Sequence, residues 1–316
     1  MVLKELLAPA GSPEVLTIAV NAGADAVYIA GQNYGARAYA KNFTMEEIEK
    51  AVNYVHLNGA KIHVTVNTLV NNFEIVDVMQ YLFKLYQIGV DAVIVQDFGL
   101  IWLLKTFIPD LEVHASTQMG LNNYSAIQWA AENNIKRVVL PREVTIEQIR
   151  QTTEQLKKDN IDMDIEVFGH GALCYCVSGK CYMSSYNSGR SGNRGACAQP
   201  CRREYRLKYR GYNIGNGYLL STHDLATYNN LKAIENAGVT SLKNFEATTK
   251  ASPMTTRMMT IALPLEDFSP SAEVDLFWEP SERSVRRLAN LEPFSAAYQS
   301  STRLESRPSL TLIEFR

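Results

Sequence analysis

Cysteine is missing from the first 173 residues and from the last 115, and all five in the chain (Cys174, Cys176, Cys181, Cys197 and Cys201) crowd into one window. That distribution excludes a disulfide framework running through the fold, because such frameworks staple small secreted chains at many points. In a chain of 316 residues the same crowding points to metal or redox chemistry. Long apolar runs are missing as well. Stretches such as Ala92–Val95 and Leu100–Leu104 fall far short of the roughly 18 residues that span a bilayer. The opening Met1-Val-Leu-Lys-Glu has no basic region followed by an apolar one, so the expectation is a soluble, cytoplasmic protein without a membrane anchor. Neither sign of charge dominates. Lys+Arg 31 against Asp+Glu 33 gives a net charge of -2, which excludes a polycation built to coat nucleic acid and makes any such contact local. With 5 histidines and no His-Glu-x-x-His pair, the ligands of the common zinc peptidases are absent too.

What is present is a repeated phrase, a helix ending in a small turn that feeds an apolar strand. It occurs at 21–30 (NAGADAVYIA) and 87–96 (QIGVDAVIVQ), and more loosely at 133–140 (NNIKRVVL) and 236–243 (NAGVTSLK). Glycine at the helix end supplies a left-handed turn residue, and the β-branched run that follows suits a strand buried on both faces. Eight such strands are expected: Glu5–Ala8, Ala26–Ala30, Lys61–Asn67, Ala92–Gln96, Glu112–Ser116, Arg137–Leu140, Ile165–Phe168 and Thr240–Lys243. Helix starts are readable at Ser12 with Pro13, and in the capping boxes Thr44-Met-Glu-Glu47 and Thr145-Ile-Glu-Gln148. The pattern predicts a (β/α)8 TIM-like barrel over residues 1–243, with a doubly wound open sheet as the competing arrangement.

Barrel enzymes work at the C-terminal ends of their strands. The polar residues collected there are Asn67, Gln96, Asp97, His114, Ser116, Thr117, Gln118, Arg142, Glu143, Glu166 and His170. Of these His114, Arg142, Glu143, Glu166 and His170 are the candidate catalytic groups, with Glu166 and His170 as an acid and base pair unless Glu166 points into the barrel as a structural group. The seventh strand leads into an insertion over 170–218 that holds every cysteine, and an insertion of that length at a barrel mouth is expected to be functional. Residues 244–316 contain no Gly, His or Cys and show no βα pattern; they read as an atypical, poorly ordered tail or as a small module around Leu276-Phe-Trp278.

Thiolates bind zinc or iron–sulfur clusters, and a cluster needs about four of them on a loop able to wrap it. The spacings are Cys-x6-Cys (174, 181), fifteen intervening residues, then Cys-x3-Cys (197, 201), unlike the paired Cys-x2-Cys knuckles of zinc ribbons. Cys174, Cys181, Cys197 and Cys201 are therefore the expected ligands of a cluster, with zinc as the alternative, and Cys176, two residues from Cys174, is left over. Around them Lys180, Arg190, Arg194, Arg202, Arg203, Arg206, Lys208 and Arg210 face a single acid, Glu204. Such a patch suits RNA or a small dicarboxylate, or is merely a solvated hairpin face.

The order Glu166, Phe168, Gly171, Ala172, Leu173, Cys174, then Gly179, Cys181, Met183, Ser184 matches the hallmark of the collagenase-like peptidase family, the thirty-second peptidase family of unassigned mechanism, which residues 3–243 resemble. The segments Leu6-Leu-Ala-Pro-Ala-Gly11 and 22–28 resemble the family's start. The resemblance implies an oxygen-independent hydroxylation enzyme acting on tRNA or rRNA, a 4Fe-4S cluster on Cys174, Cys181, Cys197 and Cys201, and prephenate as hydroxyl donor. It leaves Cys176 as an alternative fourth ligand. Peptidase activity, with His170 as base beside Cys174, is the competing function, and a non-catalytic accessory protein whose metal staples the loop is the third. Relatives follow their last strand with Lys-Ile-Glu-Gly-Arg, whereas this chain reads Lys243-Asn-Phe-Glu-Ala, which puts the eighth helix in question.

Overall fold

The computed structural model describes residues 3–36, 41–244 and the short strand Ile313–Phe315. Seven strands and six helices alternate at first: β1 (Glu5–Pro9), α1 (Pro13–Asn21), β2 (Ala26–Ala30), α2 (Met45–Leu57), β3 (Lys61–Val66), α3 (Ile75–Gln87), β4 (Ala92–Val95), α4 (Phe98–Phe107), β5 (Glu112–Ala115), α5 (Tyr124–Glu132), β6 (Arg137–Val139), α6 (Ile146–Lys158) and β7 (Asp164–Ala172). An insertion follows with α7 (Met183–Ser188), the hairpin β8 (Tyr205–Tyr209) and β9 (Tyr212–Gly217), and β10 (Asp224–Ala226). Then α8 (Leu231–Asn236) returns the chain to β11 (Ser241–Asn244).

Every neighbouring pair from β1 to β7 is parallel, β7 also pairs with β11, and β11 pairs with β1. The ring closes on eight strands, so the barrel is correct and the open sheet is excluded. The chemistry behind each helix start is also as expected. Ser12 accepts from Val15 N at 3.4 Å ahead of Pro13, and Thr44 with Glu47 and Thr145 with Gln148 form reciprocal capping boxes.

Alternate residues on each strand face outward into an apolar layer beneath the helices, among them Val27, Ile29, Ile62, Val64, Val93, Val95, Val113, Val138, Ile165 and Leu242. β7 runs four residues beyond its expected end, because β10 pairs antiparallel with His170, Gly171 and Ala172 and supplies the hydrogen bonds that a frayed strand end would lack. The insertion therefore extends beyond 218, returning to the barrel only after Ala226. The expectations for the tail fall outside the described residues, apart from β12 (Ile313–Phe315), which pairs antiparallel with β8. Among the described residues no helix is long and apolar enough to cross a membrane.

Candidate functional site

The residues facing into the ring are unusually polar. Glu5, His63, His114, Arg137, Glu166, Ser241 and Lys243 are all buried there. Arg137 donates to Glu5 and Glu166, and Lys243 Nζ donates to Glu166 Oε1 at 2.9 Å while lying 4.2 Å from the centre of the Tyr28 ring. Burial pushes the Glu166 carboxyl up, but Lys243 and Arg137 outweigh it and hold the group below the usual carboxylate range. Burial lowers the Lys243 ammonium against the pull of Glu166, and Arg137 stands as a second cation on the same carboxylate.

His63 and His114 meet edge-on, ring centroids 4.7 Å apart. Burial drives His63 well below the ordinary imidazole value, helped by His114, Arg137 and Lys243. Burial likewise lowers His114, against the opposing bond to Glu112. Glu166 and His114 thus belong to the closed interior of the barrel and not to its open mouth. Arg137 and Lys243 lie within their strands, and the signal for them in the sequence is a charged residue beside an outward apolar one, Arg137 before Val138 and Lys243 after Leu242.

At the mouth the collected polar residues mostly hold loops. Gln96 Nε2 donates to the carbonyls of Asn67 (2.7 Å) and Asn193 (3.1 Å), and Asp97 caps α4 through Leu100 N at 3.0 Å. Ser116 accepts from Gln118 N, and Thr117 Oγ1 donates to Leu140 O. His170, half-buried on β7, stands beside Asn244 of β11 and Ala226 of β10.

The two remaining candidates grip the cysteine loop. Arg142 Nη1 donates to Cys174 Sγ at 3.5 Å, with its guanidinium 4.2 Å above the Phe168 ring. The next residue, Glu143, accepts from both Ser178 N and Ser178 Oγ at 2.9 Å. Adjacent residues of the β6–α6 loop thus fix the two sides of the 174–181 segment. Gly179, at φ +74°, lies so close to Gln118 that a Cβ would come within 1.8 Å of its carbonyl oxygen. Only glycine fits that turn.

The other two cysteines are tied in by different means. Ser184 Oγ donates to Cys197 Sγ at 3.6 Å and accepts from Ala198 N at 2.9 Å, and Gln199 N donates to Cys197 Sγ at 3.4 Å. Arg202, next to Cys201, donates to Leu173 O at 2.8 Å, to Ser221 Oγ at 2.7 Å and to Thr222 O. Leu173 adjoins Cys174, so this one side chain couples the first cysteine to the last.

All five cysteines are unpaired thiols. Burial pushes the Cys201 thiol up; Arg202 opposes this, while Cys197, Cys174 and Cys181 each add to it. Those three thus lie near enough to Cys201 to act on its charge. Cys176, raised by burial and by its hydrogen-bonded neighbour Cys181, sits at the edge of the group. Among the described residues no three His, Cys, Asp or Glu side chains stand close enough to share a single ion.

Three of the eight basic residues of the patch are engaged within the protein. Arg190 donates to Ala196 O, Arg194 to Leu69 O and Glu74, and Arg202 as described. Lys180, Arg203 and Arg210 are exposed.

The fold and the sequence have counterparts among known proteins. A solved structure described as the U32 peptidase Mk0906 superposes with a TM-score of 0.54 at 12% identity, covering 78% of this chain and 95% of that one, which supports the fold. A tRNA hydroxylation protein P1 of Bacillus subtilis is 44% identical over 64% of this chain and 47% of its own length. A 23S rRNA 5-hydroxycytidine synthase of Escherichia coli is 41% identical over 76% of this chain and 36% of its own. A collagenase of Porphyromonas gingivalis is 37% identical over 74% and 59%. The chain spans about half the length of the curated relatives it matches. Residues 11–261 match Peptidase family U32, and with that span, this barrel and these cysteines the chain belongs to that family.

Proposed function

We propose that this chain carries the barrel of an iron–sulfur-dependent enzyme that hydroxylates tRNA or rRNA, with prephenate as the hydroxyl donor. The observation that carries the reading is the placement of Cys174, Cys181, Cys197 and Cys201 on one insertion at the barrel mouth, where Arg202, next to Cys201, donates to the carbonyl of Leu173, next to Cys174. Four thiolates are a soft donor set that suits an iron–sulfur cluster, with zinc as the alternative. N–H or O–H donors to the sulfurs, such as those from Arg142, Ser184 and Gln199, are the groups that tune such a centre. When bound, the cluster supplies one-electron chemistry. The chain's own part would be to hold the four sulfurs, to keep Arg142 on Cys174, and to present positive charge on the loop.

The names of the tRNA- and rRNA-modifying relatives favour RNA as substrate. The collagenase relative favours a peptidase. At this site, however, Cys174 is hydrogen-bonded to Arg142 and not to a histidine base. Two measurements test the proposal. Protein purified without air is expected to be brown and to contain iron and acid-labile sulfide, and mass spectrometry of tRNA and rRNA nucleosides from a deletion strain is expected to show a missing hydroxylated base. Colourless protein that takes up neither iron nor sulfide on reconstitution, or a deletion strain with an unaltered nucleoside profile, overturns it.

A further inference from the structure

Tyrosine is spread through the cysteine loop in a way that neither the barrel nor the thiols require. Tyr175 lies between Cys174 and Cys176, Tyr182 follows Cys181, and Tyr186 comes one helical turn later. Their exposures are 54%, 65% and 92%. Tyr186 N donates to Tyr182 O at 3.0 Å, so the two rings leave neighbouring positions on one side of α7, while Ser184 points inward from the other side to Cys197. Large aromatic rings left in water on a segment otherwise pinned by many hydrogen bonds call for a partner. The charge around them identifies its sign. Residues 174–203 contain no Asp or Glu, and Lys180 and Arg203 are exposed within that span.

We infer that Tyr182 and Tyr186 form a stacking platform for unpaired bases of the RNA, and that Lys180 and Arg203 hold the adjacent phosphates. The inference rests on the RNA reading above and narrows it to single-stranded segments, such as a loop. Every base offers a flat face to an aromatic ring, but only once it is out of a duplex stack. A phosphate backbone suits the charge here, since residues 174–203 hold no acid while Lys180 and Arg203 are exposed. Tyr175 and Tyr182 directly adjoin the candidate ligands Cys174 and Cys181 in sequence.

The test uses the cluster-loaded full chain and two synthetic RNAs, a hairpin with an unpaired loop and the same stem as a blunt duplex. Binding is followed by fluorescence anisotropy over a series of salt concentrations. The loop RNA is expected to bind more tightly than the duplex. Tyr182→Leu and Tyr186→Leu are expected to weaken loop binding by roughly tenfold each, the range that loss of one base–aromatic stack produces. Tyr→Phe at either position restores it, and the salt slope is unchanged in all four variants. Lys180→Ala and Arg203→Ala are expected each to reduce the salt slope by about one. Iron content, measured in every variant, shows that the loop is intact. Leu variants that bind loop RNA as tightly as the parent, or a parent that prefers the duplex, overturn the platform and leave RNA modification standing. A parent that binds neither RNA overturns the RNA reading itself.

Discussion

The sharpest prediction concerns Gly179, where a single methyl group separates a folded cysteine loop from an open one. In Gly179→Ala the new Cβ would lie 1.8 Å from Gln118 O and 2.6 Å from Gln118 C. Both are backbone atoms of the turn after β5, so no rotamer change can relieve the clash. The residue also sits at φ +74°, a left-handed conformation that costs an L-residue about 1–2 kcal/mol. Moving the loop away gives up the two bonds from Ser178 to Glu143, at about 1.5 kcal/mol each, the lower end for charged acceptors because Glu143 is exposed. The loop then loses about 4–5 kcal/mol of stabilisation relative to the parent, which corresponds to a loss of roughly a thousandfold or more in apparent affinity for whatever the thiols bind.

Gly189 provides the control. It has nearly the same conformation, φ +68°, but a Cβ there would meet nothing within 4 Å, so Gly189→Ala carries the conformational cost alone. After anaerobic reconstitution Gly179→Ala is expected to retain little iron and sulfide and to be cut rapidly by protease within 174–181. Gly189→Ala is expected to stay close to the parent. Thermal melting of the barrel should change little in either, since residues 178–189 lie outside the apolar layer. Equal iron retention and equal protease resistance in the two variants would refute the claim that this packing shapes the site.

Three other outcomes follow from the same geometry. Glu143→Gln keeps one acceptor oxygen for Ser178 and loses the charge, so the loop should open about tenfold more readily, seen as faster proteolysis with unchanged melting. Arg137→Met leaves Glu5 and Glu166 buried without their shared cation and should cost about 3–5 kcal/mol in chemical denaturation, less at acid pH where the carboxyls can be neutralised. The buried histidines set a pH dependence of stability. His63 and His114 bind protons less readily folded than unfolded, so below the ordinary value of 6.5 the unfolded chain takes up more protons, and stability falls as pH is lowered through that window. Replacing both with Asn should flatten the slope between neutral and mildly acid pH in urea titrations.

Much of this was written in the sequence, for a physical reason that differs by region. The strands were legible because each is a short β-branched run following a glycine turn, and α2 and α6 because their capping boxes are local signals. The crowding of the cysteines into one insertion after β7 was legible from their positions. Ring closure was not, since the pairing of β11 with both β1 and β7 joins residues more than seventy positions apart. The role of charged residues was misjudged in both directions. Glu166 and His114 looked like mouth residues because they lie near strand ends, but the inward pleat turns them into the barrel. Arg194 and Arg202 looked like part of an anion-binding patch, yet their guanidinium groups are taken up by Glu74, Leu69 O, Leu173 O and Thr222 O. Long side chains on an irregular loop have no periodicity from which their direction can be inferred.

The charge accounting inside the ring also bears on where chemistry takes place. Glu5 and Glu166 are matched by Arg137 and Lys243, and the two histidines are neutral, so the interior carries no surplus charge with which to attract a phosphate or a carboxylate. A buried quartet of this kind gains little net stability over apolar packing, but losing one member is costly, and that makes it a rigid floor under the mouth. Phe168 and Lys243, at the upper end of that floor, connect it to Arg142 and Tyr28 through ring contacts, and Arg142 connects it to Cys174. The fixed interior thus orients the one arginine that touches a candidate ligand sulfur. Among the described residues of the basic patch, Lys180, Arg203 and Arg210 are exposed on the insertion above, so positive charge is presented at the cysteine loop and not inside the ring.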